Sequence, residues 1–337
     1  RRSRACSRSS DKHMARVVVV GSFNVDHVWR CETLPAPGAT LQGQYHSGPG
    51  GKGFNQAIAA GRAGAQACFV CALGDDAGGV LARGLATADQ IDLQDFIADQ
   101  PTGTAGIYVD AHGRNCIVIG AGANAALTPA FVEQQRDAIA AAGALLTQLE
   151  SPSESIQCAL SLARANGVVT ILNPAPANAA TTLELLALAD LITPNETEFA
   201  ALLARHHGER LEPDDVATTD NSRLHTLCRE ILAHGSVVIT LGSTGVFVSH
   251  AEDALRGDAK PYYRLAAESV EAIDTTGAGD AFNGALAATL AASTDMAFIE
   301  HVRFANRYAA LSTERAGAAL AMPRLADVQE RFASSEQ

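Results

Sequence analysis

From Arg16 onward, short runs of β-branched and aliphatic residues bounded by Gly or Pro alternate with longer stretches rich in Ala and Leu. This alternation constrains the fold more than any other feature. Strands separated by helix-length connections pair in parallel, and a parallel sheet has to be covered by helices. Strands are expected at 17–20, 68–71, 144–148, 168–172, 191–192 and 237–241. Helices are expected at 55–63, 77–88, 129–142, 153–165, 196–204, 221–234, 281–292 and 297–311. The reading is an α/β fold, a doubly wound, mostly parallel sheet flanked by helices.

Two stretches break the rhythm, at 25–47 and 104–119. The second reads as a hairpin around Gly113, a residue that tolerates the positive φ of a tight turn. Together they predict a small β-sheet lid over the strand ends, where α/β folds bind ligands. The main unit is expected over 14–330, with 206–222 as a surface excursion. Residues 1–13, rich in Arg and Ser, read as an expression remnant, a targeting peptide being the alternative.

Hydrophobic residues make up 47% of the 337 and charged residues 18%, a composition that folds. The formal net charge of -12 argues against nucleic acid or an anionic membrane as partner, because attraction to phosphate polymers needs the opposite sign. No apolar run is long enough to span a bilayer. Seven cysteines do not suggest a disulfide framework, which points to a reducing, cytoplasmic compartment. Cys68 and Cys71 have redox or zinc spacing but sit in an apolar run, and read as buried strand residues.

Chemistry concentrates in Asp-Thr-Thr-Gly-Ala-Gly-Asp at 274–280, just before an apolar helix. Small residues at Gly277, Ala278 and Gly279 let a backbone turn approach an anion, and the helix adds free N–H groups and the positive end of its dipole. Asp280 would either cap that helix or serve as a base for a hydroxyl attacking a phosphoryl group. A second glycine-rich helix entry, Gly-Gly-Lys-Gly-Phe-Asn at 50–55, lacks both the P-loop and the dinucleotide spacing. By itself it could be a flexible connection.

Six motifs in order resemble those of the ribokinase family of carbohydrate kinases. They are 21–26 (Gly-Ser-Phe-Asn-Val-Asp), 50–55, the run ending at Glu150, 193–198 (Thr-Pro-Asn-Glu-Thr-Glu), the run ending 240–245 (Thr-Leu-Gly-Ser-Thr-Gly) and 274–280. The resemblance implies ATP-dependent phosphorylation of D-ribose at O5, with another furanose or a nucleoside as alternative substrate. It makes Asp280 the base and Gly277, Ala278 and Gly279 the anion hole. It carries the sugar to Asn24, Val25, Asp26, Gly51, Lys52, Gly53, Phe54, Asn55, Glu150 and Asp280 itself. Adjacent carboxylates and amides suit such a polyol.

For ATP the resemblance implies Asn195, Thr240, Leu241, Gly242, Ser243, Thr244, Gly245, Gly279, Asp280 and Asn306. Taken alone, 240–245 could be a hairpin turn and Asn306 a polar helix face. Glu198 would help place a hydrated Mg²⁺, although after Pro194 it also suits the first turn of a helix. A K⁺ site is implied at Asp274, Thr276, Ser312, Arg315, Gly317 and Ala321, where Ala321 replaces the usual serine. A homodimer through the lid is implied as well. A non-catalytic sugar or nucleotide regulator and an NAD-dependent dehydrogenase are the competing classes; the intact 274–280 run argues against the first and the missing dinucleotide fingerprint against the second.

Overall fold

The computed structural model describes residues 15–293 and 295–333, so the segment read as an expression remnant, 1–13, lies outside the described residues. Thirteen strands form two sheets among these residues: β1 (Arg16–Val20), β2 (Asn24–Arg30), β3 (Gln44–Gly50), β4 (Gln66–Gly74), β5 (Asp92–Ala98), β6 (Gly103–Val109), β7 (Asn115–Gly120), β8 (Ala144–Thr147), β9 (Val169–Leu172), β10 (Leu191–Ile192), β11 (Ser236–Thr240), β12 (Val246–His250) and β13 (Tyr262–Leu265). The main sheet has nine strands in the order β13-β12-β11-β10-β9-β8-β1-β4-β5. It is parallel from β5 to β11, while β12 and β13 are antiparallel additions at one edge. Strand order turns at β1, which lies between β4 and β8.

The hydrophobic strand runs are explained by burial on both faces. Val17 and Val19 join one core layer while Val18 and Val20 join the other, and all four have no exposed surface. Each such side chain contributes roughly 1.5–3 kcal/mol over an exposed position. Cys68 and Cys71 are likewise buried, one in each layer, and burial pushes the Cys68 thiol up to about 12. Both lie within β4, where their side chains pack in the core.

The lid is a four-stranded sheet in the order β3-β2-β6-β7. Register sets Asp26, Ala105 and Ile119 in one row across it and Val28, Ile107 and Ile117 in the next. Three expectations need correction. The helix expected over 55–63 is Lys52–Arg62, so Lys52 and Gly53 lie in its first turn. The helix predicted over 129–142 is two shorter ones, Pro129–Gln134 and Arg136–Ala140, separated at Gln135. The helix expected from 281 begins at Ala278, because Gly277 takes the left-handed conformation (φ 78°) just before it. Asp280 therefore lies inside the first turn and is not the cap.

Candidate active site

The expected site residues gather at the carboxyl ends of the parallel strands, where loops leave the sheet. The segment after β1 supplies Ser22 and Asn24, that after β8 supplies Gln148 and Glu150, and β9 and β10 are followed by Asn173 and by Thr193 and Asn195. The helix Lys52–Arg62 enters this region through Gly51, whose φ is 87°. A Cβ on Gly53 would lie 2.4 Å from the Ser22 backbone nitrogen, so the helix end packs backbone against backbone. Glu150 fastens the junction by accepting hydrogen bonds from Ser22 Oγ (2.5 Å) and Lys52 N (3.0 Å).

Asp280 is buried opposite this helix. Its helix, Ala278–Ala292, crosses Lys52–Arg62 so closely that a Cβ on Gly284 would come within 2.5 Å of both Ala59 Cβ and the Gln56 carbonyl oxygen. One turn earlier, Asp280 meets the start of the opposing helix. Asn55 Nδ2 donates to Asp280 Oδ2 and Gln56 Nε2 to Oδ1, both at 2.9 Å. Burial pushes the Asp280 carboxyl above its ordinary range; Lys52 and the two amide donors pull it back, and Glu150 adds to the rise.

Asp26 and Glu150 complete a group of three carboxylates with Asp280. Burial, then Glu150, then Asp280 push Asp26 up to about 7. Burial also acts downward on the Lys52 ammonium, but Asp280, Glu150 and Glu198 outweigh it and hold Lys52 above its ordinary value. The arrangement is thus a cation among carboxylates beside a helix N-terminus. Asn24 is buried, its Oδ1 accepting from Asn124 Nδ2 at 2.8 Å.

Two cavities meet at that N-terminus. The smaller, about 150 Å³, is lined by Lys52, Asn173, Asn195, Glu198, Gly277, Asp280 and Asn283 among others. The larger, about 480 Å³, is bounded by Thr240, Gly242, Ser243, Gly245, Glu268, Phe282 and Asn306, among others. Asn195, Thr240, Thr275, Ala278 and Gly279 border both. Asn195 and Glu198 form a reciprocal helix cap, Asn195 Oδ1 accepting from Glu198 N and Glu198 Oε2 from Asn195 N. Burial raises the Glu198 pKa, opposed by the Asn195 N–H and Lys52.

Several expected residues point elsewhere. The Phe54 ring lies in the core, 5.0 Å from that of Phe23 in an edge contact, and Val25 packs on the Ala77–Ala88 helix at Gly78. Leu241 is buried in the core, and the Thr244 hydroxyl donates back to the Leu241 carbonyl. Neither lines the larger cavity. Asn306 does, while its Nδ2 holds the Ala266 carbonyl.

Of the implied cation residues, Asp274, Thr276 and Gly317 are joined to one another. Asp274 accepts from Thr276 N and Gly317 N, and these bonds outweigh the effect of burial to hold its carboxyl below the usual range. Ser312 Oγ donates to the Ala309 carbonyl, Arg315 pairs with Asp327, and Ala321 is buried in a short turn. Ala318, at the start of this turn, lies where a Cβ on Gly277 would touch it at 3.0 Å.

Sequence reasoning missed Gln56, Asn173, Thr193, Thr275 and Asn283. Asn173 and Thr193 carried a usable signal, since each is a polar residue directly after a buried strand. The cavity wall at 267–272 carried none, being irregular and without periodicity.

A model of the pfkB family carbohydrate kinases matches residues 14–325. The chain is 38% identical over 310 residues to a ribokinase of Haemophilus influenzae, spanning 91% of this chain and 95% of that one. It is 36% identical over 333 residues to a ribokinase of Mus musculus, with 94% and 95% coverage. Among solved structures, ribokinase from Giardia lamblia is similar with a TM-score of 0.82 at 28% identity, covering 96% of this chain and 99% of that one. Ribokinase of Arabidopsis thaliana complexed with ribose and ATP gives 0.77 at 28% identity, covering 94% and 98%.

Proposed function

Because the chain belongs to the pfkB family of carbohydrate kinases, we propose that residues 14–330 form a kinase that transfers the γ-phosphoryl group of ATP to O5 of D-ribose, giving ribose 5-phosphate. One observation carries the reading: a buried carboxylate stands between a polyol-sized set of polar groups and a helix N-terminus that opens on a nucleotide-sized cavity. Asn24, Asp26, Asn55 and Glu150 hold the sugar hydroxyls by mixed donor and acceptor contacts. Asp280 takes the proton from the attacking hydroxyl as the new O–P bond forms and the bond to ADP breaks. The N–H groups of Gly277 and Gly279 receive the negative charge on the transferring phosphoryl oxygens, while that of Ala278 donates to the Thr275 carbonyl at 3.2 Å.

Lys52 adds positive charge beside that path, and Thr240, Gly242, Ser243 and Gly245 with Asn306 form the adenine side. Glu198, with one oxygen committed to the helix cap, suits a hydrated Mg²⁺ held with the phosphates, which would neutralise phosphate charge. The junction of Asp274 with Gly317, next to the contact of Gly277 with Ala318, suits K⁺ through backbone oxygens of Asp274, Thr276, Ser312, Arg315 and Gly317, with water in place of the hydroxyl Ala321 lacks. A second copy covers the lid face carrying Ile117 and Ile119, and the protein works in the cytoplasm. No helix among the described residues is long and apolar enough to cross a membrane.

The test is ADP release with D-ribose, deoxyribose, fructose and nucleosides, for the parent protein and Asp280→Asn. Ribose is expected to be preferred. Asp280→Asn should lose at least about 100-fold in kcat while ribose binding by calorimetry changes only a few-fold. Retained turnover would remove Asp280 as base, and a strong nucleoside preference would reassign the substrate.

A further inference from the structure

Asp280 is joined to the strand ends by a relay of buried neutral amides and one hydroxyl, none of them assigned a role by the resemblance. Gln148, just after β8, donates through Nε2 to Gln56 Oε1 at 2.6 Å. With its oxygen so engaged, Gln56 presents its NH₂ group to two acceptors, Asp280 Oδ1 at 2.9 Å and Asn173 Oδ1 at 3.0 Å. Asn173 Nδ2 continues to the Thr193 carbonyl at 2.9 Å, and Thr193 Oγ1 donates to Asn283 Oδ1 at 2.5 Å. Asn283 Nδ2 returns to the Gly279 carbonyl at 2.8 Å. Gln56, Gln148, Thr193 and Asn283 are all at most 1% exposed.

The circuit starts at the end of β8 and closes on the turn that carries the anion hole, passing the base on the way. Each amide is oriented by its neighbour, so Gln56 cannot flip without turning its oxygen toward a carboxylate and an amide oxygen. Such a wrong orientation in a buried site leaves several groups unpaired.

We propose that Gln56 is a positioning residue for phosphoryl transfer, which, locked by Gln148 and Asn173, fixes the carboxylate of Asp280 relative to the Gly277–Gly279 turn. The proposal rests on the reading of Asp280 as base. Asn55 shares the carboxylate but is a proposed sugar ligand, so its loss would mix two effects; Gln56 separates them.

The experiment is a pH profile of kcat for Gln56→Met, which keeps the length of the side chain and removes both its acceptor and its donors. Displacing a catalytic group by even an ångström costs up to about 100-fold, so kcat should fall about 10- to 100-fold, with the KM for ATP within about twofold. Removing a donor that favours the carboxylate should also move the acid limb of kcat upward by roughly one pH unit. Gln148→Met, which does not touch Asp280, should shift the limb the same way by less. It decides the matter if Gln56→Met fails to fold by circular dichroism. Asp280→Asn is the control arm. If it keeps turnover, the base assignment fails; if it is inactive while the glutamine variants retain wild-type kcat and acid limb, the relay proposal fails alone.

Discussion

Replacing Asp26 with asparagine should change how stability depends on pH. Asp26 shares its surroundings with Glu150 and Asp280, and its carboxyl is raised from 3.8 to about 7. A carboxyl raised on folding keeps its proton in the native state after the unfolded chain has lost it, so its contribution to stability is full below 3.8 and declines as pH rises through about 7. With those two values, linkage gives a loss of about 1.7 kcal/mol by about pH 5 and of about 4 kcal/mol by about pH 8, a difference of roughly 2–3 kcal/mol. Partial exposure of Asp26 makes that an upper bound. Asp26→Asn is close in size and removes the term. Urea denaturation of both proteins without sugar, at pH 5 and pH 8, should show the variant gaining on the wild type by up to that amount at the higher pH. A gap independent of pH would refute the idea that the three carboxylates are crowded at the cost of stability. The same variant should bind ribose more weakly at pH 8, where the wild-type carboxylate accepts through both oxygens and an amide cannot.

Gly53→Ala places a methyl group against the Ser22 nitrogen and the Gly21 backbone, atoms without rotamers to move aside. It should cost about 1–3 kcal/mol by urea denaturation and weaken ribose binding, and an unchanged midpoint would contradict the close approach. The lid exposes Ile117, Val118 and Ile119 at 50%, 66% and 47%. Light scattering at micromolar concentration should give a dimer that Ile119→Glu dissociates, whereas a monomeric parent protein would remove the lid-pairing proposal.

The fold was legible where one physical signal dominated. Val17–Val20 and Leu191–Ile192 are continuous apolar runs because both sheet faces are covered, and the helices Ala77–Ala88 and Ser153–Ala165 have the expected bounds. β5 was missed because its Asp92 and Asp95 break the apolar run; they pair with Arg16 and Arg83 across the structure, which local sequence does not reveal. The site was legible as motifs but not as contacts. The start at Ala278 escaped because Gly-Ala-Gly reads as loop, and it took Gly277 in the left-handed region to convert Asp280 from a cap into an inward-facing side chain. Gln56 had no local signal at all, being one more polar residue at a helix start until Gly284 brings the second helix against it.

The join between β1 and the lid also has a mechanical consequence. Only Gly21, Ser22 and Phe23 separate the core strand from β2, so Asn24 and Asp26 sit beside the axle of any lid swing, whereas Arg30 lies six residues further out, roughly 20 Å along the strand. A given rotation would sweep the outer rows through a wide arc and barely displace the two polar groups. Such a lever could open the entrance for ligand exchange while leaving the grip in place, so substitutions at the lid tip should alter how fast sugar enters and leaves far more than how tightly it is held.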